Sequence, residues 1–101
     1  MTSVAAYVPD LMDRSRLGAL GASVRFVQDP DELADADEDV VIVDLSRPGA
    51  LDAAVASTAS RRIGFIGHAE RSTIVDAREA GIDAMPRSRF FSSLPDLIDL
   101  P

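Results

Sequence analysis

The sequence predicts one α/β domain over residues 1–101: a doubly wound sheet of five short parallel strands with helices on both faces. Three observations carry that expectation. Val40-Val41-Ile42-Val43 is an unbroken run of β-branched apolar residues, which suits a strand covered on both sides. Strand-like and helix-like segments alternate five times, and repeated βα units form a parallel sheet because their crossovers are right-handed. Apolar residues make up 47% of the chain and aromatics 5%, which supports one modest core.

Val4–Val8 reads as the first strand. Leu11–Leu20 reads as a helix with Leu11, Leu17 and Leu20 inward and Gly21 as its stop. Ser23–Val27 alternates and reads as the second strand. Asp29-Pro30 opens the next helix, Asp29 as N-cap and Pro30 in the first helical position. Val40–Val43 is the central strand, with Asp44 at its carboxyl end and a Pro48-Gly49 turn beyond. Ala50–Ala59 is an alanine-rich helix. Ile63–Ile66 is the fourth strand, broken by Gly64 and Gly67, with Arg61-Arg62 a solvated approach to it. Arg71–Ala80 is the strongest helix, with Ile74, Val75 and Ala77 inward and Gly81 at its end. Ile82–Met85 is the fifth strand. Ser92 or Ser93 caps a last short helix with Pro95 in its first turn, ending near Leu100. The acidic run Asp35–Asp39 reads as a solvated loop.

The formal charge is −7, and all ten basic residues are arginine. Such a surface repels phosphate backbones, so nucleic acid is not an expected partner. The absence of lysine excludes any mechanism that needs a lysine of this chain. With no cysteine there is no disulfide and no thiolate metal site. No run approaches the ~20 apolar residues of a membrane span. Thr2–Val8 lacks the basic start and long apolar core of a signal peptide, so the cytoplasm is the expected location.

In open α/β sheets ligands bind outside the carboxyl ends of the strands, which is where Asp44 falls. Its alternative role is a structural carboxylate capping a nearby turn. Asp10 is either a metal ligand or the cap of the helix that starts at Leu11. His68 is either a switch group or a loop residue before a helix start.

Three segments in this order and spacing resemble the receiver domain of bacterial response regulators. Asp44 with Pro48-Gly49 resembles the phosphoacceptor strand and the loop after it. Ile63-Gly64-Phe65-Ile66-Gly67-His68-Ala69 resembles the fourth strand and its switch turn. Ala80-Gly81-Ile82-Asp83-Ala84-Met85-Pro86-Arg87-Ser88-Arg89-Phe90 resembles the stretch that ends in the family's Lys-Pro-Phe. The resemblance implies a flavodoxin-like (CheY-like) sheet of strand order 2-1-3-4-5 with shortened helices. It also implies a site around the phosphoacceptor-like Asp44, lined by Asp10, Ser46, Gly67, His68 and Ser88.

The chain departs from the family at most of those positions. The acid pair after the first strand is replaced by Pro9-Asp10. A weak Mg²⁺ site at Asp10 and Asp44, helped by the carbonyl of Ser46, is the most that remains, and no other cofactor is expected. The hydroxyl-bearing switch residue falls at Gly67, the small residue after it at His68, and the lysine at Ser88. Arg87 or Arg89 offers a cation, but a forked guanidinium does not replace an ammonium point charge.

The resemblance therefore leads to a degenerate receiver. It is expected to be a stand-alone, non-enzymatic signalling module acting through protein contacts, with Asp44 phosphorylated weakly or not at all. The expected contact face runs from the fourth helix to the fifth and carries Arg71, Arg78, Glu79, Arg87, Arg89, Phe90 and Phe91, for a protein partner or a weak homodimer. Two alternatives stay open: a working phosphoacceptor in a two-component relay, and small-ligand binding in the crevice beyond Val8, Asp44 and Gly67.

Overall fold

Every residue of β3 (Val40–Asp44) is buried, as a strand of consecutive valine and isoleucine requires. In a computed structural model, which describes residues 3–19, 23–67, 71–94 and 96–97, this strand is the centre of a five-stranded sheet. The other strands are β1 (Ser3–Tyr7), β2 (Ser23–Phe26), β4 (Arg61–Ile66) and β5 (Asp83–Pro86). All pairings are parallel and the order is β2-β1-β3-β4-β5, as expected. The connections are α1 (Leu11–Gly18), a 3₁₀ helix over Pro30–Asp35, α2 (Ala50–Ala56) and α3 (Arg71–Glu79), and α4 (Arg87–Ser92) follows β5.

Strand alternation divides the core into two layers. Val4, Ala6, Ile42, Ile63, Phe65 and Met85 face α1 and α4, where Leu17, Phe90 and Phe91 complete the packing. Ala5, Val41, Val43, Ile66 and Ala84 face the 3₁₀ helix, α2 and α3, where Leu33, Ala50, Ala53, Ala54, Ile74 and Ala77 pack. The alanines let short helices sit close to the sheet. The first layer is centred on three aromatic rings. Phe65 stacks on Phe90 at 4.7 Å between centroids, and Phe91 meets both, at 5.5 and 4.9 Å.

Several local signals act as the sequence predicts. The Asp29 side chain accepts from Asp31 N while Glu32 accepts from Asp29 N, a reciprocal cap with Pro30 in the first turn. The element is 3₁₀, though, and ends after six residues. Gly81 has φ +88°, and α3 closes in a Schellman motif: Ile82 N donates to Ala77 O and Gly81 N to Arg78 O.

Other expectations are corrected. Gly64 does not break β4; the strand runs through it and begins at Arg61, so Arg61 and Arg62 belong to the sheet. A Cβ at Gly64 would lie 2.7–2.8 Å from the Leu45 side chain, so glycine is what lets Leu45 pack there. Leu11 is 77% exposed and Val75 50%, because Leu17 in α1, and Ile74 with Ala77 in α3, fill the space against the sheet. The last described helix starts at Arg87, directly after β5; Ser92 ends it and does not cap a later one. Leu20, Gly21, Pro95 and Leu100 lie outside the described residues.

Candidate functional site

Asp44 ends β3 on the α1/α4 side of the sheet, beside its register partner Phe65 on β4, and is 6% exposed. Beyond it the chain turns sharply, with Arg47 N bonding back to Asp44 O at 3.1 Å and Gly49 at φ +79° leading into α2. The Asp44 carboxylate is the pivot of that turn. Its Oδ1 accepts from Ser46 N at 3.0 Å and from Ser46 Oγ at 2.6 Å, the latter short as expected for a hydroxyl on a carboxylate. Its Oδ2 lies 3.5 Å from Arg47 Nε. Both oxygens thus have partners from the next three residues.

Asp10 is likewise engaged. Its Oδ1 accepts from Met12 N at 2.9 Å and Asp13 N at 3.1 Å, which caps α1. The acid that points inward from α1 is Asp13, one turn below, 2% exposed and on the same face as Leu17. Asp13 Oδ1 is ion-paired with Arg87 at the start of α4. The Arg87 guanidinium also lies 5.0 Å over the Phe91 ring, and Arg16 covers that ring at 4.2 Å. Sequence reasoning missed this pair, although four-residue spacing from Leu17 marks Asp13 as inward.

The other candidates are dispersed. Ser46 is held against Asp44 as described. Gly67, just past β4, is exposed, and a Cβ there would meet nothing within 4 Å. Ser88 is exposed in the first turn of α4. His68 lies outside the described residues.

Mg²⁺ wants near-octahedral oxygen ligation with free carboxylates. Here Asp10 caps a helix, Asp13 is neutralised by Arg87, and Asp44 faces Ser46 and a guanidinium. Among the described residues no three His, Asp or Glu side chains gather as a metal site would need. These donors do not fit the ion.

The expected contact face is also rearranged. Phe90 and Phe91 are buried at 0% and 8% exposure and belong to the core, because α4 lays both rings between the sheet and α1. Arg87 is spent on Asp13. What remains is a groove of about 460 Å³ between α3 and the β5–α4 junction, lined by Arg71, Ile74, Val75, Arg78, Pro86 and Arg89. Glu79 is exposed on α3 and does not line it. No helix among the described residues is long and apolar enough to cross a membrane.

No family model matches the chain. No curated protein matches it either. Among solved structures, a CheY-like response regulator protein from Mesorhizobium loti superposes with a TM-score of 0.60 at 18% identity, covering 94% of this chain and 93% of that one. That likeness shows the fold, a CheY-like five-stranded parallel sheet.

Proposed function

We propose that this chain is a cytoplasmic, non-enzymatic receiver-like signalling module that works through protein contacts and does not use Asp44 as a phosphoacceptor. One observation carries the reading: the Asp44 carboxylate is closed off by its own turn, with a 2.6 Å bond from Ser46 Oγ and the Arg47 guanidinium beside the second oxygen. Attack on a phosphodonor needs a free carboxylate oxygen and an ion to neutralise the charge that builds on the transferring group. The acids that would hold that ion are engaged elsewhere, and position 67 has no side chain to bond the phosphoryl oxygens.

The test is intact mass after treatment with acetyl phosphate and Mg²⁺. The expected result is no added phosphoryl group over an hour. A variant carrying Pro9→Asp, Gly67→Thr and Ser88→Lys is expected to gain labelling that Asp44→Asn abolishes. Rapid single labelling of the unmodified chain, lost in Asp44→Asn, would replace this reading with that of a working phosphoacceptor in a two-component relay.

A further inference from the structure

Most arginines of the chain are engaged by other described groups. Arg25, Arg47, Arg61 and Arg87 meet carboxylates. Arg14, Arg62 and Arg78 donate to backbone carbonyls, and Arg16 lies over the Phe91 ring. Arg71 and Arg89 differ: among the described residues neither has a hydrogen bond, ion pair or ring contact. They come from different elements, α3 and α4, yet both line the groove of about 460 Å³ between α3 and the β5–α4 junction.

The side chains of that lining are chemically one-sided. Arg71, Arg78 and Arg89 donate hydrogen bonds and accept none. Ile74, Val75 and Pro86 carry no polar side-chain atom, and Val75 is left half exposed. No lining side chain is an acceptor, so a complementary molecule brings negatively charged acceptor oxygens and an apolar body, with no donors to satisfy. Guanidinium forks match the paired oxygens of phosphate and carboxylate. Arg78 Nε donates to Ala84 O at 3.0 Å, which fixes one of the three along the wall. Size then selects the kind of partner. The groove falls within the roughly 300–1,000 Å³ of small-molecule sites, whereas a protein interface engages about 20–30 residues a side.

We infer that this groove binds a small amphiphilic anion: a phosphate or carboxylate head held by Arg71 and Arg89, on an apolar ring or short chain that packs on Val75 and Pro86. The inference goes beyond the reading of Asp44 and holds whether or not that carboxylate accepts a phosphoryl group. The chain's charge of −7 opposes any anion at long range, so recognition is local and the affinity modest. Neither half of the ligand suffices alone. A bare anion gains nothing from the aliphatic side chains, and a neutral ring leaves the guanidiniums to water.

The experiment titrates the ¹⁵N-labelled chain with phenyl phosphate, benzoate, inorganic phosphate and phenol, and follows the amide shifts. Phenyl phosphate or benzoate is expected to give saturable shifts at Arg71, Ile74, Val75, Arg78 and Arg89, and the tighter of the two assigns the head group. Inorganic phosphate and phenol are each expected to bind at least about tenfold more weakly than that ligand. Arg71→Gln with Arg89→Gln is expected to weaken binding at least about tenfold. Neither side chain holds a described contact, so the variant keeps its folded spectrum. Arg25→Gln, at the far edge of the sheet, is expected to leave binding unchanged. The inference is overturned by no saturable shift from phenyl phosphate or benzoate at millimolar concentration, by equal binding of inorganic phosphate or of phenol, or by undiminished binding in the double variant. Shifts centred on Asp44 and Ser46 in place of the groove would overturn it too. Asp44 labelling is read separately by intact mass, so failure here and failure of the pseudo-receiver reading are told apart.

Discussion

At the carboxyl ends of β1 and β3, the described carboxylates are matched by groups of the same chain. Asp44 is held by Ser46 and Arg47, Asp10 by the amides of α1, and Asp13 by Arg87. In the groove beside α3, three guanidiniums frame an aliphatic strip with no described carboxylate among them, and of the three only Arg78 is held, through its bond to Ala84 O. Groups already satisfied within the chain stabilise the fold and resist new ligands. Groups left open cost stability little to keep and are free to bind. The fold is CheY-like, the crevice carboxylates are held within the chain, and on the α3 face Arg71 and Arg89 have no described ion-pair partner.

If the crevice side is built for stability, its core should be unforgiving. Phe90 is fully buried in a three-ring contact, so Phe90→Ala is expected to cost about 3–5 kcal/mol in urea unfolding. A loss below 1 kcal/mol would mean that the aromatic layer is not what holds α4 to the sheet. Asp13→Ala comes next. A fully buried pair broken from one side loses about 3–5 kcal/mol, but the Arg87 side chain is 38% exposed and regains water, so about 2 kcal/mol is expected. A double-mutant cycle with Arg87→Met should return a coupling of similar sign, and zero coupling would remove the pair from the account.

The fold was legible wherever the governing interactions are local. Val40–Val43 reads as a covered strand from composition alone, and Asp29-Pro30 and Gly81 are punctuation whose geometry depends on a few neighbours. The last helix was misplaced for the same reason. Ser92 and Ser93 are strong cap residues, while Arg87–Ser92 has none before it, its N-cap being Pro86 with no side-chain bond. Tertiary packing of two adjacent phenylalanines forms that helix, and a sequence window does not contain it. At the site, Asp44 and the cap role of Asp10 were visible in the sequence. The Asp13–Arg87 pair joins residues 74 apart, and no spacing rule reaches that far. The groove emerged only when burial of Phe90 and Phe91 took the expected anchors away.

A smaller effect concerns the far edge of the sheet, where Arg25 holds Glu38 at 2.6 Å. The hydrogen bond from Arg25 keeps the Glu38 carboxyl below its ordinary value of 4.5. A depressed carboxyl stabilises the fold fully above its ordinary value and loses that contribution as pH falls through the lower folded value. With the Arg25 side chain 52% exposed, the pair should contribute less than about 1 kcal/mol. Glu38→Gln is expected to flatten the acid limb of the stability–pH curve by that amount, and an unchanged limb would show the pair to be idle.

Least of all should happen in the groove. Arg71→Glu and Val75→Ala are expected to change stability by no more than about 0.5 kcal/mol, since neither side chain is packed inward. Losses of 2 kcal/mol at either position would make the groove a structural feature and erase the contrast with the crevice.

The contrast is tested most directly by adding Mg²⁺ and beryllofluoride, a phosphoryl mimic, to the ¹⁵N-labelled chain and following the amides of Asp44, Ser46 and Arg47. With the carboxylate held by its own turn, those three resonances are predicted to stay in place at millimolar Mg²⁺ and beryllofluoride. Saturable shifts at all three, absent in Asp44→Asn, would show that the turn opens to a phosphoryl group and would contradict the account.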